Sequence, residues 1–174
     1  MGQIRSHDPV KLVVGLIFKD EISLRKALAL LKLKFGQIDF ESQIIPFNYT
    51  DYYKEEFGST LNRVFVSFKK LIFAQDISRI KIITNKLEQK LSSQNRRTVN
   101  IDPGYLNLAK LVLASTKDFS HRIYLNHGIY AEITLIFKDK TFQFLDWTYP
   151  DYRAKEYIEI FMKIREIYFH QIKK

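Results

Sequence analysis

The chain contains no cysteine, which removes disulfide staples, thiolate metal sites and cysteine nucleophiles together. It also lacks any stretch near the roughly 20 apolar residues of a membrane span. Its first residues, with Arg5 and His7, hold no apolar run of signal-peptide length. A soluble, cytoplasmic protein with no membrane partner is the expectation. Reaction motifs are missing too: there is no GxxxxGK(S/T) phosphate loop, no GxGxxG, no HExxH, no GxSxG and no His/Cys metal spacing.

What is present suits a globular domain. The 174 residues are 46% hydrophobic and 14% aromatic, with 14 Phe and 10 Tyr, and a domain of this length buries about 70% of its unfolded surface. With no linker or low-complexity segment, residues 1–174 read as one domain. The net charge of +9 invites a nucleic-acid reading. The basic residues are nevertheless dispersed. Their densest groups, Lys86, Lys90, Arg96, Arg97 and Lys163, Arg165, Lys173, Lys174, fall near predicted helix ends, where the helix dipole welcomes cations.

Lys11 to Phe18 is a continuous apolar run and predicts a strand buried on both faces. Asp20 is placed to cap a helix carrying Leu24, Ala27, Leu28, Leu31 and Phe35 at helical spacing, ended by Gly36. Strands follow over Gln37–Phe47 and Leu61–Leu71. Asp76 is placed to cap a second helix with Ile77, Ile80, Thr84, Leu87 and Leu91 on one face, and Thr98–Ile101 gives a fourth strand. Strand, helix, strand, strand, helix, strand is the order of a ferredoxin-like unit. Asp102-Pro103-Gly104-Tyr105 has the chemistry of a type II turn. Asn107–Ser115 fits either a short helix or a strand, with Leu, Ala and Lys favouring the helix. His121–Asp146 predicts an antiparallel meander turning at Asn126-His127-Gly128 and at Asp139-Lys140. It would pair Leu125 with Ile129, Tyr124 with Tyr130, Ile123 with Ala131 and Arg122 with Glu132, and so turn Ile123, Leu125, Ile129, Ala131, Ile133 and Leu135 to the core. Tyr157, Ile160, Phe161, Ile164 and Tyr168 form the apolar face of a last helix. The fold class is therefore α+β: a mainly antiparallel sheet with a ferredoxin-like βαββαβ core, extended by a β-meander and a C-terminal helix.

The densest polar set is Lys117, Asp118, His121, Arg122, Tyr130 and Glu132. Lys117 and Arg122 suit an anion, and His121, tuned by Asp118 or Glu132, suits proton exchange, which makes His121 and Glu132 the catalytic candidates. An ordinary Arg122–Glu132 cross-strand ion pair competes with that reading. Two stretches one hundred positions apart also repeat one another. Phe47, Tyr49, Asp51, Tyr52 and Glu56 recur as Trp147, Tyr149, Asp151, Tyr152 and Glu156. Asp51 and Asp151 can be read as paired carboxylates, with Tyr52 and Tyr152 stacking on or bonding a ligand, and such a pair also suits a divalent cation such as magnesium. Each Asp can equally be an N-cap for the helical turn that follows.

NIDPGYLNLAKLVLASTKDFSHRIYL, GIYAEITL and WTYPDYRAKEYI, with PVKLVVGLIF and NYTDYYKEEFG, resemble a bacterial and archaeal family known as domain of unknown function 4416. The resemblance spans nearly the whole chain. It implies a small single-domain prokaryotic protein, and some members carry a GTP-binding label, for which this chain has no phosphate loop. The residues themselves suggest a small anionic or nucleotide-like ligand on the polar face of the meander, with hydrolysis as its chemistry. A non-catalytic RNA-binding or assembly module is the alternative, motivated by the positive charge and the aromatic strands.

Overall fold

The computed structural model describes residues 2–3, 6–49, 61–93 and 96–173. Its strands are β1 (Lys11–Phe18), β2 (Ile38–Glu41), β3 (Ile45–Pro46), β4 (Asn62–Phe68), β5 (Val99–Leu106), β6 (Lys110–Ser115), β7 (Ile123–Asn126), β8 (Ile129–Lys138) and β9 (Thr141–Phe144). The helices are α1 (Glu21–Phe35), α2 (Ile77–Leu91) and α3 (Lys155–Ile172). The nine strands form one sheet of order β2-β4-β1-β5-β6-β8-β7, with β3 beside β4 and β9 beside β8. All of its pairings are antiparallel. The fold is α+β with a C-terminal helix, as the sequence pattern implied.

Helices lie on both faces of the sheet, which is why every residue of β1 is buried. Leu12, Val14, Leu16 and Phe18 pack under Leu24, Ala27, Leu28 and Leu31 of α1 and Ile77, Ile80 and Leu87 of α2. Val13 joins Phe65, Leu111 and Leu135 against Tyr157, Ile160, Phe161, Ile164 and Tyr168 of α3. Asp20 caps α1, its Oδ1 accepting from the Ser23 amide at 2.8 Å, a contact worth about 1 kcal/mol. Hydrogen bonds hold α3 in place: Tyr168 Oη donates to the Pro9 carbonyl and Arg165 Nε to the Leu108 carbonyl, each at 2.9 Å.

Several local expectations are corrected. Gln37–Phe47 is broken into β2 and β3 at Ser42, whose Oγ accepts from the Phe65 amide at 3.0 Å while its own amide donates to the Phe65 carbonyl at 2.9 Å. A hydroxyl thus replaces a ladder carbonyl and bends the strand. Asp76 caps nothing with its side chain, because a 3-10 turn over Ala74–Asp76 leads into α2. Asp102-Pro103-Gly104 is not a turn. It lies in the middle of β5, opposite Gly15, Val14 and Val13 of β1. Gly104 is there for close approach, since a Cβ would fall 2.4 Å from the Val112 carbonyl oxygen. Asn107–Ser115 is a tight turn into strand β6: Asn107 Oδ1 accepts from the amides of Ala109 and Lys110, each at 2.9 Å.

The meander turns fall where expected, at His127-Gly128 and Asp139-Lys140, all four residues having positive φ as type I′ hairpins require. Ile123–Ala131 and Tyr124–Tyr130 pair as anticipated, but a register shift sets Asn126 against Ile129. The facing is overturned in part. Ile123 is 66% exposed, whereas Glu132 and Thr134 are buried, because the reverse face of β8 is covered too.

Candidate functional site

The sheet opens near its centre. β5 pairs with β1 along its whole length, Val99 to Leu106, but with β6 only where Gly104, Tyr105 and Leu106 meet Leu113, Val112 and Leu111. Ala114 and Ser115 of β6 run on beside β8 instead. Side chains of α2 serve the edge of β5 left open by this divergence. Glu88 Oε1 accepts the Ile101 N–H at 2.6 Å, and Lys81 Nζ donates to the Ile101 carbonyl at 3.2 Å. An unpaired strand edge would be costly inside a protein, and two charged groups complete it. A cavity of about 620 Å³ occupies the opening, with Arg63, Asp102 and Asp151 on one side and Ser115, Arg122 and Glu132 on the other.

Tyr149, Pro150, Asp151 and Tyr152 line this cavity, and the segment from Trp147 to Arg153 that carries them is itself tied down. Trp147 Nε1 donates to the Ile133 carbonyl at 2.9 Å, Thr148 Oγ1 to the Thr134 carbonyl at 2.6 Å, and Arg153 to the Thr148 and Asp146 carbonyls, both at 2.8 Å. From it two tyrosine hydroxyls reach two arginines. Tyr149 Oη accepts from Arg122 and Tyr152 Oη from Arg63, each at 2.7 Å.

The two arginines differ in what surrounds them. Arg122 is engaged at all three nitrogens: Nε donates to Glu132 at 2.8 Å and NH1 to Ser115 Oγ and the Lys117 carbonyl at 2.9 Å, while NH2 donates to Tyr149. Arg63, 98% buried, makes one short hydrogen bond among the described residues, to Tyr152. Its NH1 lies 3.8 Å from Asp102 and 3.9 Å from Asp151, beyond hydrogen-bond reach. Its Nε is buried with no hydrogen-bond partner among the described residues. Room for this guanidinium comes from Gly15, where a Cβ would stand 2.7 Å from Arg63 NH2.

Burial opposes the charge on Arg63, but Tyr152, Asp151 and Asp102 outweigh it and keep the guanidinium protonated. Burial raises Asp151 above its ordinary value, against the pull of Arg63 and of the Asp151 and Tyr152 amides. Burial likewise raises Glu88, against Lys81 and the Ile101 N–H, and lifts Tyr152 far up, so its phenol keeps its proton. The cavity therefore has a permanent cation at its floor and two carboxyls biased toward the neutral form.

Of the residues singled out in the sequence, Lys117, Arg122, Glu132, Asp151 and Tyr152 line the cavity. His121 stands behind Glu132, its Nε2 3.0 Å from Oε2, stacked between Phe119 and Trp147 at centroid distances of 5.9 and 5.3 Å. Glu132 is engaged from three sides, by His121, Arg122 and Thr134. Asp118 is exposed and outside the lining. Tyr130 packs edge-on against Tyr124, 5.3 Å away, likewise outside it. Asp51 and Tyr52 lie outside the described residues, and with them the carboxylate pair proposed for a cation. Among the described residues no group of three or more His, Asp or Glu is placed to hold a metal ion, and no helix is long and apolar enough to cross a membrane. Phe47 and Tyr49 of the first repeat do line the same cavity as Tyr149, Asp151 and Tyr152 of the second. Asp151 does not cap α3, whose N-cap is Ala154.

The sequence reading missed Arg63, Lys81, Glu88, Asn100 and Asp102. The signals were there: an arginine alternating with Phe65 in a buried strand, a glycine inside the apolar run of β1, and two charges, seven residues apart, on the apolar stripe of α2.

The family described as a domain of unknown function (DUF4416) matches residues 8–168. No curated protein and no solved structure matches the chain.

Proposed function

The chain belongs to this family of unknown function, and we propose that it binds a small anionic ligand in the cavity where β5 and β6 part. The observation that carries the proposal is the unsaturated Arg63. A buried guanidinium has five N–H donors, and native interiors leave few such donors without acceptors. Among the described residues one short bond and two distant carboxylates leave donors to spare, beside a cavity large enough for a metabolite. The polar side chains of Asn85, Gln89, Asn100 and Ser115 and the rings of Tyr49 and Tyr149 give that ligand a polar, ring-bearing body to match.

The test is a thermal-shift screen of nucleotides, sugar phosphates and small carboxylic acids against the wild type, Arg63→Gln and Tyr152→Phe. A ligand at about one hundred times its Kd stabilises by about 2.7 kcal/mol. The expected result is a stabilising anion whose effect is lost in Arg63→Gln and weakened in Tyr152→Phe. A stabilising anion that acts equally on all three proteins places its site elsewhere.

A further inference from the structure

An anion that docks on Arg63 meets two carboxylates already beside it. Asp102 has other support: Asn100 Nδ2 donates to its Oδ2 at 2.6 Å, and Lys81 Nζ is 3.4 Å from its Oδ1. Asp151 has less. Arg63 of β4 is its cation among the described residues, and Asp102 of β5, Tyr152 of its own turn and Tyr157 of α3 are the other titratable groups around it. None of these three can neutralise it. Of the other cations of the cavity wall, Arg122 has Glu132 at 2.8 Å, Arg97 has Glu88 at 3.4 Å and Lys81 has Asp102 at 3.4 Å, while Lys117 lies in the lining beside Ser115 and Arg122.

We propose that Asp151 is a proton-operated counter-ion, which takes up one proton from solvent as a compact, single-headed anion replaces it beside Arg63. This rests on the anion-binding reading of the cavity. The chemical class is a sulfate- or phosphate-like group or a carboxylate. A polyphosphate brings more charge than one unsaturated guanidinium can meet. Once neutral, the Asp151 carboxyl turns from an acceptor that repels the ligand into an O–H donor that can bond it. Its burial already inclines it to the protonated form.

Sulfate is the probe, because it stays a dianion across the working range. Its binding is measured by titration calorimetry on the wild type and Asp151→Asn from pH 5 to 8, in two buffers of different ionisation enthalpy. Wild type is expected to take up roughly one proton per sulfate at the upper end of the range and to lose affinity by up to about tenfold per pH unit there. Asp151→Asn is expected to bind more tightly at pH 8 and to take up none. Sulfate binding by wild type with no proton uptake at any pH overturns the coupling while leaving the anion site standing, and so do identical profiles in the two proteins. No sulfate binding by either protein overturns both.

Discussion

Glu88 Oε1 accepts the Ile101 N–H at 2.6 Å, so a helix carboxylate stands where a neighbouring strand would offer a carbonyl. The sheet can split at β5 because α2 supplies this substitute. Glu88→Ala leaves the Ile101 N–H buried and unpaired and takes a partner from Arg97, a loss of roughly 2 kcal/mol. Glu88→Gln keeps an acceptor and is expected to cost about half as much. Urea unfolding midpoints at constant m-value check the order.

Arg63 holds two carboxylates together at the floor of the cavity. Arg63→Met fits the aliphatic space but leaves Asp102 and Asp151 facing one another without it, and removing one partner of a buried ionic cluster costs about 3–5 kcal/mol. Adding Asp151→Asn removes part of that repulsion. The double variant is expected to be more stable than the sum of the two singles implies, with a coupling of about 1–3 kcal/mol, read from a double-mutant cycle in urea.

Much of this architecture was open to sequence reasoning because it depends on local patterns. The continuous apolar run of β1, the i, i+3, i+4 stripes of the helices and the His127-Gly128 turn all state their own conformation. The misreadings share a different cause. Pro103-Gly104 reads as a turn until Val112 is known to press against Gly104, and Leu111-Val112-Leu113 is ambiguous until β5 and β8 flank it. The cavity was half legible for the same reason. Arg122 and Glu132, joined at 2.8 Å, flank one hairpin and could be paired by extending its register, whereas Arg63, Lys81 and Asp102 come from three separate elements, β4, α2 and β5, that only the tertiary fold brings together.

Asp151 gives the protein a pH dependence whose sign is fixed by its raised pKa. Below the ordinary value of 3.8 the carboxyl is neutral in both folded and unfolded chains and contributes no difference. As pH rises, the unfolded chain ionises first while the folded one holds its proton, so the native state binds more protons and stability falls. The fall ends above the folded pKa. Asp151→Asn removes this dependence, and Glu88, raised in the same direction, is common to both proteins. The stability difference between Asp151→Asn and wild type is therefore expected to move in favour of the variant from pH 3.5 to pH 7. Chemical denaturation at each pH measures it, and a difference that is flat or moves the other way contradicts the assignment.

His121 and Glu132 are separated by the same kind of test. Glu132 is 1% exposed and gathers His121, Arg122 and Thr134, so Glu132→Ala leaves a buried guanidinium without its carboxylate, at a cost of about 3–5 kcal/mol. His121→Phe keeps a flat ring between Phe119 and Trp147 and gives up one hydrogen bond, a loss of about 1 kcal/mol. In a protein of this size each kcal/mol lowers Tm by about 2–4 °C, so the two variants are expected to differ by several degrees. His121→Phe is also expected to leave sulfate binding at Arg63 unchanged. If it abolishes that binding while remaining folded, His121 acts on the ligand site, and the Glu132 cluster is more than the frame that positions Arg122.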